Sequence, residues 1–470
     1  MKKKEFCFLT AFFFMLLCMS CQNYPKGDNW HIEDGFIVTD EPSRAAGQES
    51  MLEFRTDPIP VIRVGFVGLG MRGPGAVDRF TYLKGVEIKA LCDKYPERAT
   101  AAQHILTNAG LPEATEYSGE EGYKELCERE DIDLVYIATN WQKHVEIALY
   151  AMEHGKHVAI EVPAATSLED CWKLIDTSER TRKHCMMLEN CVYDFFELTC
   201  LNMAQQGMFG EILHTEGAYI HNLEPYWDAY ADNWRLDFNQ KHGGDVYPTH
   251  GFGPCCQALN IHRGDKMEYL VSLSTKSVNG LKLAKERMDV DDFACGDHIV
   301  TFVKTQSGKS MEIQHNVFTP RPYNRLYQLT GTEGFANKYP VSGLTFRNSK
   351  IDRNAMPTIP QLDEHAFVPD SVKDMLLQQY KHPIHQEIEE TAKEVGGHDG
   401  IDFVMDYRLV YCLHNGLPLD QDVYDLAEWC CISELSDISN RNNSMPVRVP
   451  DFTRGDWNKV NGLHFYMAGE

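Results

Sequence analysis

The chain has 470 residues, with 45 Lys and Arg against 69 Asp and Glu, a formal charge of −24. So acidic a chain is a poor partner for nucleic acid, whose phosphates are held by clustered Lys and Arg. With 43% hydrophobic and 24% charged residues it is neither disordered nor collagenous, and it is long enough to bury a core without disulfide or metal staples.

Lys2, Lys3 and Lys4 precede an apolar run from Phe6 to Leu17, and Ser20 then precedes Cys21. A basic start followed by a short apolar run predicts a secretory signal over residues 1–20, too short for a comfortable spanning helix. A small residue followed by Cys resembles a bacterial lipoprotein cleavage site, with Cys21 as the lipidated first residue. An exported lipoprotein is therefore expected, periplasmic or anchored at the outer membrane, touching the membrane only through its lipid. Residues 21–60 are broken by Pro25, Gly27, Pro42, Gly47 and Pro58, and read as a linker. Most of the later cysteines (Cys92, Cys185, Cys191, Cys200, Cys412) lie in apolar runs and read as buried small hydrophobes. No cysteine pair has zinc-ligand spacing outside the signal, so no metal site is expected.

From Val61 the pattern changes. Short apolar runs at Val61–Leu69, Val86–Cys92, Leu134–Ala138, His157–Val162 and Cys185–Leu188 alternate with helical stretches at about 75–84, 95–109, 142–154 and 168–182. That rhythm predicts an α/β fold: a doubly wound, Rossmann-type parallel sheet over residues 61–190. After residue 191 come a helix near 194–206, strands at 211–221, 269–279, 297–305, 309–318 and 326–331, and helices at 370–394 and 400–414. Residues 191–470 therefore read as an α+β domain with a mostly antiparallel open sheet.

Gly68-Leu69-Gly70-Met71-Arg72-Gly73 is a G-x-G-x-x-G run between the first strand and a helix. Its glycines permit a tight turn and close approach to a pyrophosphate seated on the helix N-terminus. Asp93 ends the next strand, where a carboxylate accepts from a ribose 2′-hydroxyl and favours NAD over NADP, a preference tempered by Arg72 and Lys94. Ligands in such sheets lie beyond the carboxyl ends of the strands. Trp141-Gln142-Lys143-His144, Glu161-Val162-Pro163 and Glu189-Asn190 occupy those ends. In the second domain, Tyr219 and His221 alternate along one strand and face the same way. Tyr247 and His250 stand three apart at a helix start, with Pro248 suited to its first turn. Arg235 suits a sugar clamp, and Tyr226 to Tyr230 offer aromatic faces. For each of these the plain alternative stays open: a half-buried Tyr, a satisfied core His221, a surface ion pair for Arg235.

The glycine-rich run, Asp93 and a strand-ending Glu-x-Pro before an α+β domain resemble the glucose-fructose oxidoreductase and inositol dehydrogenase superfamily. Two departures matter. Val162 stands where most members have a Lys that assists hydride transfer, and Val246 stands four before His250 where members have an Asp. The set Trp141-x-x-His144, Glu161-Val162 and Tyr247-Pro248-Thr249-His250 resembles glycoside hydrolase family 109, the NAD-dependent α-N-acetylgalactosaminidases, over nearly everything from Val61 onward. The resemblance implies NAD contacts at Met71, Arg72, Asp93, Trp141 to His144, Glu161, Val162, Asn190 and Tyr247. It implies sugar contacts at Tyr219, Arg235, Tyr247, Pro248, Thr249, His250 and Tyr323, with Tyr327 as a nearby alternative to the last. The superfamily also implies a homo-oligomer formed through the second domain's sheet.

The implied reaction is hydrolysis of terminal α-N-acetylgalactosamine by oxidation at C3 with NAD as acceptor, elimination across C1 and C2, water addition and re-reduction. His250 and Tyr247 are the candidates around C3, Tyr219 and His221 around C2 and C1. Two other readings remain: an exported NAD(P)-dependent sugar dehydrogenase, and a non-catalytic sugar-binding lipoprotein.

Overall fold

The computed structural model describes residues 30–354 and 356–469; the predicted signal, Cys21 and residues 22–29 lie outside these. The described part of residues 21–60 corrects the linker reading. Strands β1 (Trp30–Glu33) and β2 (Phe36–Thr39) pair antiparallel across Asp34-Gly35, both at positive φ (48° and 83°). That is the hairpin turn an Asp-Gly pair favours. Ile37 is fully buried, and its N–H donates to the Pro446 carbonyl at 2.9 Å. Further on, the Met51 N–H donates to the Tyr424 hydroxyl at 3.0 Å, and Arg44 pairs with Glu179 at 3.1 Å. The prolines and glycines here mark turns between packed pieces, not an absence of packing.

The Rossmann-type unit follows as β3 (Ile62–Val67), α1 (Gly73–Phe80), β4 (Val86–Asp93), α2 (Pro96–Asn108), β5 (Thr115–Ser118), α3 (Gly122–Cys127), β6 (Leu134–Ile137), α4 (Trp141–Glu153), β7 (His157–Ile160), α5 (Leu168–Thr181) and β8 (Cys185–Met187). All six strands are parallel, in the order β5-β4-β3-β6-β7-β8. The central strands β6 and β7 are buried throughout, as strands covered by helices on both faces must be. The strand absent from the sequence reading is β5, whose Thr-Glu-Tyr-Ser lies at the sheet edge and carries no apolar run.

The second unit contains α6 (Phe195–Gln205), β9 (Ile212–Ile220), α7 (Trp234–Lys241), α8 (Thr249–Leu259), β10 (Met267–Ser274), α9 (Asn279–Met288), β11 (Ile299–Thr305), β12 (Ser310–Asn316), β13 (Tyr327–Gly331), β14 (Gly334–Asn337) and β15 (Gly343–Phe346). It closes with α10 (Asp370–Gln379), α11 (Pro383–Val395), α12 (Ile401–Asn415), α13 (Val423–Cys430), α14 (Ile432–Arg441) and β16 (Val447–Arg448). The sheet order is β1-β2-β16-β10-β11-β12-β9-β13-β14-β15, antiparallel except for β9 on β12 and β2 on β16. The single helix expected over 370–394 is two, because Pro383 has no N–H to continue a helix and begins the second. The twelve described cysteines are all buried and unpaired.

A buried charge cluster fixes the end of α8 to α13. His262 lies with Nδ1 2.6 Å from Glu428 and Nε2 3.4 Å from Asp422, while Arg263 donates to Asp425 at 2.7 and 2.9 Å. Burial and Arg263 oppose charge on His262, but Glu428, Asp422 and Asp425 outweigh them and lift its pKa to about 10. A folded pKa above the unfolded value of about 6.5 stabilises fully below that value and is lost as pH rises through the folded one. The melting temperature of the full chain is therefore expected to fall between pH 7 and pH 10 more steeply than that of a His262→Gln variant. Parallel curves in differential scanning calorimetry would contradict a charged His262.

Candidate active site

The cofactor end is built by backbone geometry. Gly68 has φ +94°, and a Cβ there would lie 2.5 Å from the Ala138 carbonyl carbon. A Cβ on Gly73 would lie 2.1 Å from the Gly68 carbonyl oxygen. Only glycine allows this turn to lie against β6 and lead into α1. Gly70 differs: a Cβ there meets nothing nearer than the Arg98 guanidinium at 3.5 Å, so its open side faces the cleft. Asp93, at the end of β4, accepts from the Leu69 N–H at 2.6 Å and the Tyr95 N–H at 2.9 Å. Arg72 reaches from the start of α1 to Glu161 at 3.4 Å and to Asp402 on α12 at 2.9 Å. The cradle fits a dinucleotide: a glycine turn bare toward the cleft, a strand-end carboxylate on the same side, and a buried Asn140 Oδ1 with no hydrogen-bond partner among the described residues. The cleft holds about 1140 Å³, above the roughly 300–1,000 Å³ of a site for one small ligand.

The other end comes from the second unit. Helix α8 lies close against β9 because Gly251 meets Gly217; a Cβ on Gly217 would lie 2.1 Å from the Gly251 carbonyl oxygen. This approach puts His250 and Tyr247 beside Tyr219. Ring centroids are 4.5 Å apart for Tyr219 and Tyr247, 5.4 Å for Tyr219 and His250, and 5.0 Å for Tyr247 and His250. His250 Nδ1 lies 2.7 Å from one carboxylate oxygen of Glu189 and 2.9 Å from the other. Burial alone would raise the Glu189 carboxyl, but the His250 imidazole and the Cys191 N–H hold it below its ordinary value. The Tyr219 hydroxyl lies 3.0 Å from His221 Nδ1. Burial, with Arg235, His250 and His398 nearby, pushes the His221 pKa down to about 4, so this imidazole is neutral near pH 7. Burial raises the phenols of Tyr219 and Tyr247, which keeps both protonated.

Arg235, at the start of α7, is 5% exposed and sits over the rings of Trp141 (5.0 Å), Tyr230 (5.2 Å) and Tyr247 (4.8 Å). Its Nη1 donates to the Tyr230 hydroxyl at 2.7 Å, while Nε and Nη2 are buried with no hydrogen-bond partner among the described residues. A buried donor left unpaired costs about 1–3 kcal/mol, more when charged, so these N–H groups are poised for a ligand oxygen.

Most of the residues singled out from sequence line this one cleft: Gly68, Gly70, Met71, Arg72, Asp93, Trp141, Lys143, His144, Glu161, Val162 and Asn190 at the cofactor end, and Tyr219, His221, Arg235, Tyr247, His250 and Tyr323 at the other. Four do not. Gly73 lies behind the turn, Gln142 points out to solvent from α4, and Pro248 and Thr249 are buried beneath Tyr247 and His250 without lining the cleft. His144 serves the walls: its ring nitrogens face the carbonyls of Pro163 at 2.9 Å and Thr139 at 3.0 Å. Tyr323 packs edge-on against His221 at 5.0 Å, whereas Tyr327 is core on β13.

The sequence places Glu189 at a strand end where ligands lie but does not couple it to His250. Nor does it point to Asp402, which holds Arg72 and accepts from the Asn190 amide, or to His398, whose Nδ1 lies 3.0 Å from Asp402. No local signal joins Arg72 to Asp402 across 330 positions.

Two family models divide the chain at the boundary of the two sheets. Residues 62–189 match the oxidoreductase family with an NAD-binding Rossmann fold, and residues 193–459 match the C-terminal domain of glycosyl hydrolase 109. The chain is 58% identical to glycosyl hydrolase family 109 protein 1 of Phocaeicola vulgatus, over 98% of this chain and 99% of that one. It is 62% identical to the protein of the same name from Bacteroides fragilis, over 92% and 94%. The chain belongs to glycosyl hydrolase family 109. Among solved structures, this family 109 chain resembles levoglucosan dehydrogenase in complex with NADH and levoglucosan at a TM-score of 0.63, with 17% identity over 83% of this chain and 100% of that one. It also resembles myo-inositol dehydrogenase from Lactobacillus casei at a TM-score of 0.54, with 17% identity over 84% and 99%. These likenesses are of fold. The family 109 enzyme is thus a glycosidase built on an oxidoreductase scaffold, with NAD as its cofactor and a sugar as its substrate.

Proposed function

We propose that this enzyme removes terminal α-N-acetylgalactosamine from glycans by the oxidation, elimination, hydration and reduction route, holding NAD tightly through the cycle. The observation that carries the reading is the pairing, in one cleft, of a dinucleotide cradle with His250 on Glu189 and Tyr219 on His221. When bound, NAD supplies reversible two-electron chemistry at the sugar's C3. The protein's part is binding and proton transfer. Glu189 accepts from the Nδ1–H of His250, which leaves Nε2 to hold or take the proton of the C3 hydroxyl, as an oriented imidazole does in other general-base sites. Tyr247, protonated and packed against Trp141 at 5.8 Å, donates its hydroxyl toward the same oxygen. The neutral Tyr219–His221 pair takes the C2 proton in the elimination and returns one to C2 when water adds at C1. The free Nε–H and Nη2–H of Arg235 suit the carbonyl of an N-acetyl group. Val162 places an apolar wall where a sugar dehydrogenase of this scaffold would present a Lys ammonium, which favours a closed cycle over net oxidation.

On the Lys2–Lys4 and Phe6–Leu17 pattern we further propose export and lipidation at Cys21. One preparation tests both readings: detergent extraction of the full chain from membranes, then release of NAD on denaturation alongside cleavage of an aryl α-N-acetylgalactosaminide. Expected are recovery in the membrane fraction, about one NAD per chain, product without net absorbance at 340 nm, and deuterium at C2 of the product in D₂O. Cleavage with no deuterium at C2 would remove the elimination route.

A further inference from the structure

The segment between β9 and α7 belongs to the second unit, yet it lines the half of the cleft that the first unit builds. It leaves β9 after Ile220 and reaches α7 at Trp234. On the way it forms two short 3₁₀ stretches, Glu224–Ala229 and Ala231–Asn233. Such stretches have poorer hydrogen-bond geometry than an α-helix. Asp232 and Asn233 take left-handed backbone, with φ 55° and 54°, which Asp and Asn tolerate better than other residues with a Cβ. Of residues 224–232 only Trp227 and Tyr230 are buried.

Its fixings lie on one side. Trp227 stacks on Phe318 with ring centroids 5.5 Å apart, Arg287 on α9 donates to Asp228 at 2.6 Å, and the Tyr230 hydroxyl accepts from Arg235. All three partners belong to the second unit. Among the described residues, no hydrogen bond or ion pair ties residues 224–233 to the Rossmann-type unit. Even so, Ala229, Ala231 and Asp232 line the same cleft as Gly70 and Asp93. Asp232 also faces Lys94, the neighbour of Asp93. Glu120, 2.7 Å from Lys94, does most to raise that ammonium's pKa, and Asp232 adds to it from across the cleft without pairing. A segment with few buried contacts and fixings on one side opens at small cost.

We propose that residues 223–234 are a strap that closes over the dinucleotide half of the cleft, with Asp232 meeting Lys94, and that its opening sets the rate at which NAD leaves. The inference rests on the reading that NAD stays bound through the cycle, and it gives that reading a mechanism. The glycine turn and Asp93 hold the cofactor from one wall, and the strap bars its way out on the other. The exit rate is then the unhindered rate multiplied by the fraction of time the strap is open. An exposed ion pair shifts such a balance by up to about fivefold.

The test follows exchange of bound NAD in the full-length holoenzyme. Purified protein is mixed with excess isotope-labelled NAD, and samples are denatured at intervals to read the labelled fraction by mass spectrometry. The parent is compared with Asp232→Asn, which suits left-handed backbone, with Lys94→Gln, and with the double variant. Asp232 is exposed, so the melting temperature of its variant should match the parent's. Each single variant is expected to exchange about three- to fivefold faster than the parent, and the double variant no faster than the quicker single one, because both remove the same contact. Raising salt from about 0.02 to about 0.5 M should quicken exchange in the parent and leave Asp232→Asn nearly unchanged. Exchange by Asp232→Asn within about 1.5-fold of the parent, or a double variant in which the two effects multiply, overturns the strap. If the parent itself exchanges its NAD within a single turnover, tight holding fails as a reading, while the order of the four rates still judges the strap.

Discussion

Replacing Glu189 with Gln is expected to lower kcat by about 10²–10⁴-fold while bound NAD and KM change little. Glu189 is fully buried at the end of β8, and both its oxygens lie within hydrogen-bond distance of His250 Nδ1. An ionised carboxylate only accepts, so it fixes the proton on Nδ1 and turns a basic Nε2 into the cleft. The amide of Gln can instead donate to Nδ1 and impose the other tautomer, which leaves Nε2 carrying a proton and unable to act as base. Volume and packing hardly change, so the melting temperature should move little. Glu189→Asp, which keeps the charge, should recover part of the rate. A purely structural Glu189 would show the reverse pattern, with stability lost and kcat kept. Activity of the Gln variant within tenfold of the parent would remove the positioning role.

Gly70→Ala should strip the enzyme of NAD without unfolding it. The three glycines of the turn are not equivalent. Gly68 and Gly73 have backbone within 2.6 Å of any added Cβ, so substitution there breaks the junction of β3, β6 and α1. At Gly70 the nearest neighbour is a flexible Arg98 guanidinium at 3.5 Å. Its new methyl projects into the cleft, where the pyrophosphate must approach the N-terminus of α1. Intruding methyl groups cost about 1–3 kcal/mol in packed sites, which corresponds to roughly 5–150-fold in affinity. Denaturing the variant should release clearly less NAD than the parent, with glycosidase activity lost in proportion and restored by excess NAD. Full NAD content in this variant would place the cofactor elsewhere.

The sequence disclosed what depends on neighbours and period. Strands β6, β7 and β8 are buried throughout and read as unbroken apolar runs, β3 and β4 are buried over the half that ends at the cleft, and Gly68 to Gly73 act within one turn. Strand β5, at an edge, has no such run. Helix α13 is buried at every position, so period gives it no stripe. In the cleft, Tyr247 and His250 were legible because three residues separate them, and Tyr219 with His221 because two do. Glu189 with His250, and Arg72 with Asp402, were not, since 61 and 330 positions separate the partners and only the meeting of the two sheets joins them. The hairpin at Trp30–Thr39 was hidden by the prolines and glycines on either side of it, which suggested a linker, when the contacts that bury Ile37 come from Pro446 and Val447 at the far end of the chain.

That hairpin also binds the two ends of the described chain into one sheet. Strand β2 joins the ten-stranded sheet through β16, so a truncation that removes residues 30–39 does not trim a spacer: it bares the β16 edge and uncovers the place where Ile37 is buried.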